Sequence, residues 1–546
     1  MTDFRLVRWG LASAAAAILV PPVVAGVAAV THSVPLGLVA GVLGAVFLVR
    51  HVARRLDLGV DVTIRSHRVV AALWIVLALA AGVQSTRLSV FMYDPARTTH
   101  SMMPWNAFFN QHTCMSGYIE AARIVRQPGM NVYDPANFMD TACDAATLAS
   151  CRPRMIGRIE LDLYQYPPPF LLLPAALRLV SHDLLVLRTL WFTVQVLLLG
   201  GAVMATSRWV GGAAGRTAAL LSPVLWLSFS TLLGLQLGNF QVAACAISMA
   251  AMVAIEKGHV ALGTVPLAFA SLGKFYPGYL VVYLLGRGRY RAVAWTAAWC
   301  IVITAVSVLV VGDAPFRDFL WYQMPRVASG EAFFWIDSPL AIAVNHGIYG
   351  LLAKLRTLGL APVSSGLAMT ATSIYGALLL AVAGGVGWLS RRADAPGQDS
   401  ASMIRLTCAM QWLALLNLGS FRSPFVPDAY GLMGSVWLVT LMAAAPGALS
   451  SWRRATPLLS CVILFYIVMD GTLREEPARV FVWLGLLIQV TALVVNVFGL
   501  RARAARRFEH PSDHAHVGRG YRQTSRTLAA IVFVRVSTMI RSSPAK

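Results

Sequence analysis

Carboxylates, imidazoles, amides, aromatic rings and isolated cations gather in a few stretches of an otherwise apolar chain. From about Gln84 to Pro167 the sequence turns polar and holds Asp94, His100, Asn106, Asn110, His112, Glu120 and Asp134. Further on come Gln236, Asn239 and Gln241, then Lys274, then Arg326, Glu331 and Asp337. Arg422 and Asp428 follow, and then Arg474, Glu475 and Glu476. Acids and imidazole can take a proton from a hydroxyl, and Lys and Arg can hold a phosphate. Amides beside aromatic faces suit a sugar, and Tyr118, Tyr164, Tyr166, Asn239 and Gln241 offer both. These are the parts for glycosyl transfer from a lipid phosphate. Any one of them alone is more often an ordinary loop residue, so the weight rests on their gathering.

The elements that must position them are membrane helices. The chain has 546 residues, of which 57% are hydrophobic and only 13% charged. A soluble domain carries about a quarter charged residues. Repeated apolar runs with that deficit predict an all-α, polytopic membrane protein of about 12 to 14 spans. The net charge of +21 sits in short basic segments between those runs, as cytoplasmic loops do. Nucleic-acid binding would need a basic patch interleaved with aromatics, and none is present.

The same charge pattern sets the topology. Arg50, Arg54, Arg55, Arg65 and Arg68 mark a cytoplasmic segment after two apolar runs. The first run, 11–30, reads as a retained span, because a second follows at once; a cleaved signal peptide is the alternative. A third span then places loop 85–167 outside the cytoplasm, with both termini inside. Residues 1–500 make one membrane domain, and 501–546 a basic tail suited to anionic lipid. A bacterial inner membrane is the expected location.

Seven cysteines carry little metal signal. Cys245, Cys300, Cys408 and Cys461 lie in apolar runs. Cys143 and Cys151 could pair in an oxidising compartment; free loop thiols are the equal alternative. No sequence spacing resembles a zinc site, and no metal or other cofactor is called for.

Lys274 is the sharpest single residue. It interrupts the apolar run 260–285, between Gly273 and Pro277, and a cation there is costly. The run is too short for two full spans, so it predicts two half-helices with Lys274 at their junction, facing a lipid phosphate. Snorkelling to the headgroups is the plainer alternative. Tyr166-Pro167-Pro168-Pro169-Phe170 predicts a rigid corner, with Tyr164 and Tyr166 free to stack on sugar.

The order of these motifs resembles glycosyltransferase family 87, multi-span enzymes of the GT-C class. Gly117-Tyr118-Ile119-Glu120-Ala121-Ala122-Arg123, followed by Asn131-Val132-Tyr133-Asp134, resembles the family's first-loop pattern. Tyr166-Pro167-Pro168, Gly238-Asn239-Phe240-Gln241, Lys274-Phe275-Tyr276-Pro277 and Ser423-Pro424 resemble its later elements. Each is weak alone; their order over about Asp94 to Leu500 is the specific feature. One departure matters. The family places an Asp, its presumed base, shortly before the first-loop Tyr, where this chain has Cys114. A thiol is a poor base at neutral pH. Asp94, His112 and Glu120 are then the remaining candidates, Asp94 narrowly first.

The resemblance implies a polyprenyl-phosphate sugar donor, mannose-like or arabinofuranose-like, and an extracytoplasmic glycan or glycolipid acceptor. The donor phosphate would rest on Lys274, with Arg422 or Arg326. Inversion at the anomeric carbon is expected. A transporter or flippase of lipid-linked saccharides is the competing class, but it would show an internal repeat, and none is visible. A catalytically inactive relative or scaffold subunit is the third reading.

Overall fold

The computed structural model describes residues 2–55, 68–140, 151–393, 401–467 and 478–501. Cys143, Arg474, Glu475, Glu476 and the basic tail therefore lie outside the described residues. Met1–Ala502 forms one compact unit. Among the described residues the regular structure is helical apart from one two-stranded hairpin.

Among the described residues six helices are long and apolar enough to cross a membrane: Ala12–Thr31, Ala72–Tyr93, Leu184–Val210, Tyr290–Val311, Ser365–Arg391 and Arg479–Arg501. The pair Gly212–Leu227 and Phe229–Leu237 bends by 63°, the geometry of a broken span or a re-entrant loop. Val34–Arg50, Phe240–Glu256, Val260–Gly273 and Asp428–Ala443 are shorter apolar helices. The protein is an all-α polytopic membrane protein, as its composition requires. Phe240–Glu256 and Met433–Ala443 are buried along nearly their whole length, enclosed by other helices. A helix wrapped in protein need not match the bilayer's thickness.

Ala401–Ser420 is the clearest enclosed case, with every side chain from Leu406 onward buried. It packs on Arg479–Arg501, Met433–Ala443 and Leu184–Val210. A helix apolar all round finds its place in such a core.

Close helix approach depends on glycine. A Cβ on Gly286 would sit 2.1 Å from the Gly384 carbonyl oxygen, and one on Gly387 2.2 Å from that of Tyr283. These glycines hold Gly278–Gly286 against Ser365–Ala393, as small residues do between membrane helices. Gly286→Leu is expected to cost about 1–3 kcal/mol through overpacking, read as a lower unfolding temperature in detergent.

The apolar run 260–285 forms two helices, Val260–Gly273 and Gly278–Gly286, with Lys274 extended between them. The polar loop begins later than its composition suggests, because helix Arg68–Tyr93 runs on to Tyr93. Two of its polar residues bond within the bundle: Ser85 Oγ donates to the Ile18 carbonyl at 2.6 Å, and Arg87 to the Ser101 carbonyl at 2.6 Å.

Candidate active site

The site is assembled from the two ends of the long loop. Met155–Ile156 and Ile159–Glu160 form a hairpin whose two-residue turn has Gly157 at φ +61. Such a turn needs a residue tolerant of positive φ. Beyond it the chain pairs in parallel with the loop's first part, His112 opposite Glu160. Two residues further on in each segment come Cys114 and Asp162. That register brings a thiol and a carboxylate together across a sequence separation that hides them from each other.

Local bonds fix the pairing. Ser116 Oγ donates to the Glu160 carbonyl at 2.9 Å and accepts from the Asp162 amide at 3.0 Å. Gly117 leaves room for the approach, since a Cβ there would lie 2.6 Å from the Asp162 carbonyl oxygen. Helix Cys114–Ile124 is buried along nearly its whole length. Thr113, just before it, donates to the Leu237 carbonyl at 3.1 Å and ties it to the membrane bundle.

A hydrogen-bonded chain runs inward from this point. Asn239 Nδ2 donates to Cys114 Sγ at 3.4 Å, and the Tyr430 hydroxyl faces the same sulfur at 3.4 Å. Tyr118 donates to the Tyr166 hydroxyl at 2.7 Å, and Tyr166 donates to Asn239 Oδ1 at 3.0 Å. Lys274 Nζ stands over the Tyr166 ring, 4.9 Å from its centroid. Each link has a backbone reason. Gly238 takes φ +69 to end one helix, and Asn239 caps the next by accepting from Gln241 N. A glycine then an asparagine is the residue order that this junction asks for.

Burial gives the groups distinct characters. It pushes the Tyr118 and Tyr166 phenols well above their ordinary values, so both stay neutral. The Cys114 thiol is pushed up to about 12, first by burial and then by the Asp162 charge beside it. Cys114 is therefore a protonated thiol at neutral pH and no base. His112 Nε2 lies 3.5 Å from Asp162 Oδ2. Its ring stacks on Phe108, with centroids 4.6 Å apart. Asp162 Oδ1 accepts from the Leu163 amide at 2.8 Å, which leaves Oδ2 directed at His112.

The structure thus gathers His112, Tyr118, Tyr166, Asn239 and Lys274 in one cluster. Other residues that the sequence offers stand elsewhere. Asp94 ends a helix, pairs with Arg97 at 3.2 Å and accepts from the Ala96 amide, so it shapes a turn. Glu120 is turned to Arg123, at 2.6 Å, and to Arg154, which joins its helix to the hairpin. Gln241 reaches the cluster through its backbone, its amide donating to Asn239 Oδ1 at 3.0 Å. Arg422 is exposed and lies against Gly376. Arg326 stacks on Tyr322 and lines a narrow cleft with Tyr133, Tyr164, Gln165 and Phe334. Tyr164 is buried, its hydroxyl donating to the Pro167 carbonyl at 3.3 Å. Cys151 is disulfide-bonded, while Cys114, Cys245, Cys300, Cys408 and Cys461 are free thiols.

Residues 164–419 match the model of glycosyltransferase family 87. Over that span the chain is similar to glycosyltransferase family 87. No curated protein and no solved structure matches the chain. The family 87 span takes in Tyr164, Tyr166, Asn239, Gln241, Lys274 and Arg326. His112, Cys114 and Asp162 precede it, and Ser423-Pro424 follows it. The match supports glycosyltransferase activity in a membrane-embedded chain, the coarse reading that the sequence offers.

Asp162 and Tyr430 are the members of the cluster that sequence reasoning passed over. A signal for the first was present. Asp162, Tyr164 and Tyr166 alternate, and alternate residues of an extended segment share a face.

Glu120 illustrates how ion pairing differs from reactivity here. Burial alone would raise its carboxyl, but the bonds and charges of Arg123 and Arg154 outweigh that and hold it below its ordinary 4.5. A depressed carboxyl stabilises the fold above its unfolded value, and the gain is lost as pH falls through the folded value. The wild type is therefore expected to lose stability below pH 4.5, and Glu120→Gln to flatten that slope in thermal melts. Both arginines are partly exposed, which keeps the effect modest.

Proposed function

We propose that this chain moves a sugar from a polyprenyl-phosphate donor to a hydroxyl of an extracytoplasmic glycan or glycolipid. The observation that carries the reading is the single cluster that joins Asp162 and His112 to Lys274 through Cys114, Asn239 and Tyr166. It puts a carboxylate, hydrogen-bonding rings and a cation that pairs with no carboxylate among the described residues within one polar site, in a chain that matches family 87 over residues 164–419.

Asp162 takes the proton of the acceptor hydroxyl, and His112 orients the carboxylate. The acceptor oxygen forms a bond to the anomeric carbon as the bond from that carbon to the phosphate oxygen breaks. The lipid phosphate leaves with the electron pair, and Lys274 neutralises the charge that it gains. Attack opposite the leaving group inverts the anomeric centre. Asp162 thus takes the role that the family resemblance assigns to an acid at Cys114, in preference to Asp94 and Glu120. A mannose-like or arabinofuranose-like sugar fits a pocket of tyrosines and amides. The loops that hold the site face outward, with both termini cytoplasmic.

The test supplies purified protein in detergent with polyprenyl-phosphate sugars, and with acceptors drawn from envelope glycolipids. Mass spectrometry then looks for an added sugar and released polyprenyl phosphate. Release that depends on acceptor supports the reading. A wild type that binds such donors yet moves them across vesicles without cleavage would favour the transporter.

A further inference from the structure

The ligating atoms of His112, Cys114 and Asp162 lie within 4.8 Å of one another. An imidazole, a thiol and a carboxylate converge there from both ends of the loop, although their sequence spacing resembles no metal motif. Their supports suit a ligand set. Stacking on Phe108 orients the imidazole, and the Leu163 amide orients the carboxylate. Asn239 and Tyr430 direct polar groups at the sulfur. Second-shell partners of this kind fix ligand orientation and tune a metal. The His112 and Asp162 side chains are 14% and 25% exposed, so an ion can reach them.

We infer that His112, Cys114 and Asp162 form a tripod for one thiophilic divalent cation of the zinc class, and that occupancy blocks sugar transfer. Hard cations such as Mg²⁺ and Ca²⁺ seek oxygen ligands, whereas sulfur with nitrogen and oxygen selects zinc. Tetrahedral zinc holds its ligand atoms roughly 3–4 Å apart. The 3.5 Å between His112 Nε2 and Asp162 Oδ2 already meets that. Three protein ligands leave a fourth position to water. Binding releases the thiol proton to solvent, and the Asn239 and Tyr430 donors then serve a thiolate. The block rests on the proposed reaction: a metal that holds Asp162 and His112 removes the base and its partner. The site itself rests only on the three ligands.

Cobalt is the probe. Full-length wild-type protein titrated with Co²⁺ is expected to develop a sulfur-to-cobalt charge-transfer band at one ion per chain, displaced by Zn²⁺. Cys114→Ser should lack the band, and Asn239→Ala should weaken binding by about 10- to 100-fold. Unfolding temperature and a monodisperse elution profile establish that each variant is folded. No band in the wild type, or an undiminished band in folded Cys114→Ser, overturns the site. In the transfer assay Zn²⁺ should inhibit the wild type reversibly with chelator, and should not inhibit Cys114→Ser relative to its own zinc-free rate. Stoichiometric binding with unchanged turnover would refute the block and leave the site standing. A cobalt band in a wild type that cleaves no donor would refute the reaction and again leave the site.

Discussion

Asp162→Asn is expected to lower turnover of a polyprenyl-phosphate sugar by about 10²- to 10⁴-fold, the range that a positioned general base supplies. The amide keeps the shape of the carboxylate and its bond from the Leu163 amide. Donor KM should therefore move little while kcat falls. The parallel pairing of His112 with Glu160 makes a stronger test available, because Cys114 and Asp162 stand side by side. Cys114→Asp in the Asp162→Asn background returns an acid to the place that the family pattern expects. Asn239 and Tyr430 are already directed at that position, and both can donate to a carboxylate. The double variant should regain turnover that Asp162→Asn lacks. Cys114→Asp alone puts two carboxylates in contact, which raises the pKa of one of them. Its acid limb in a kcat profile should shift to higher pH. Asp162→Asn turning over at the wild-type rate would end the assignment.

That pairing also marks where sequence reading stops. Lys274 was legible because a cation between glycine and proline in an apolar run has few other uses. Asn239 was legible because glycine followed by asparagine marks a helix junction, and the junction faces the site. Tyr166 was legible from the prolines that fix the backbone beside it. Asp94 and Glu120 both stood as candidate acids, Asp94 narrowly ahead, since the sequence shows charge but not its partner. One caps a turn beside Arg97, and the other is held between Arg123 and Arg154. Asp162 went unnoticed because its neighbours in space come from a segment near Cys114, and a parallel bridge leaves no local period. The broken helix at 212–237 and the enclosed helix Ala401–Ser420 were hidden for a related reason. Hydropathy measures how apolar a segment is, but not whether lipid or protein surrounds it.

Lys274→Met is expected to lower kcat by about 10²- to 10³-fold, the cost of removing one preorganised group from a developing charge. Methionine keeps the apolar stem and deletes only the ammonium. Among the described residues no carboxylate pairs with Lys274; it stands over the Tyr166 ring instead. A cation with an aromatic face beneath it and no counter-ion keeps its charge available to an incoming phosphate. The phosphate oxygen gains charge as its bond to the sugar breaks, so the effect belongs in kcat rather than in donor KM. Lys274→Arg preserves the charge and should recover part of the rate, limited by the planar group's poorer fit between Gly273 and Tyr276. Arg422→Gln and Arg326→Gln provide the contrast. Both arginines lie outside the Tyr166 cluster, against Gly376 and Tyr322 respectively. If they meet the donor it is away from the breaking bond, so their loss should raise KM and spare kcat. A kcat loss in Arg422→Gln equal to that in Lys274→Met would move the phosphate to the end of helix Ala401–Ser420. It would then no longer lie between Lys274 and Asp162, as the proposed transfer requires.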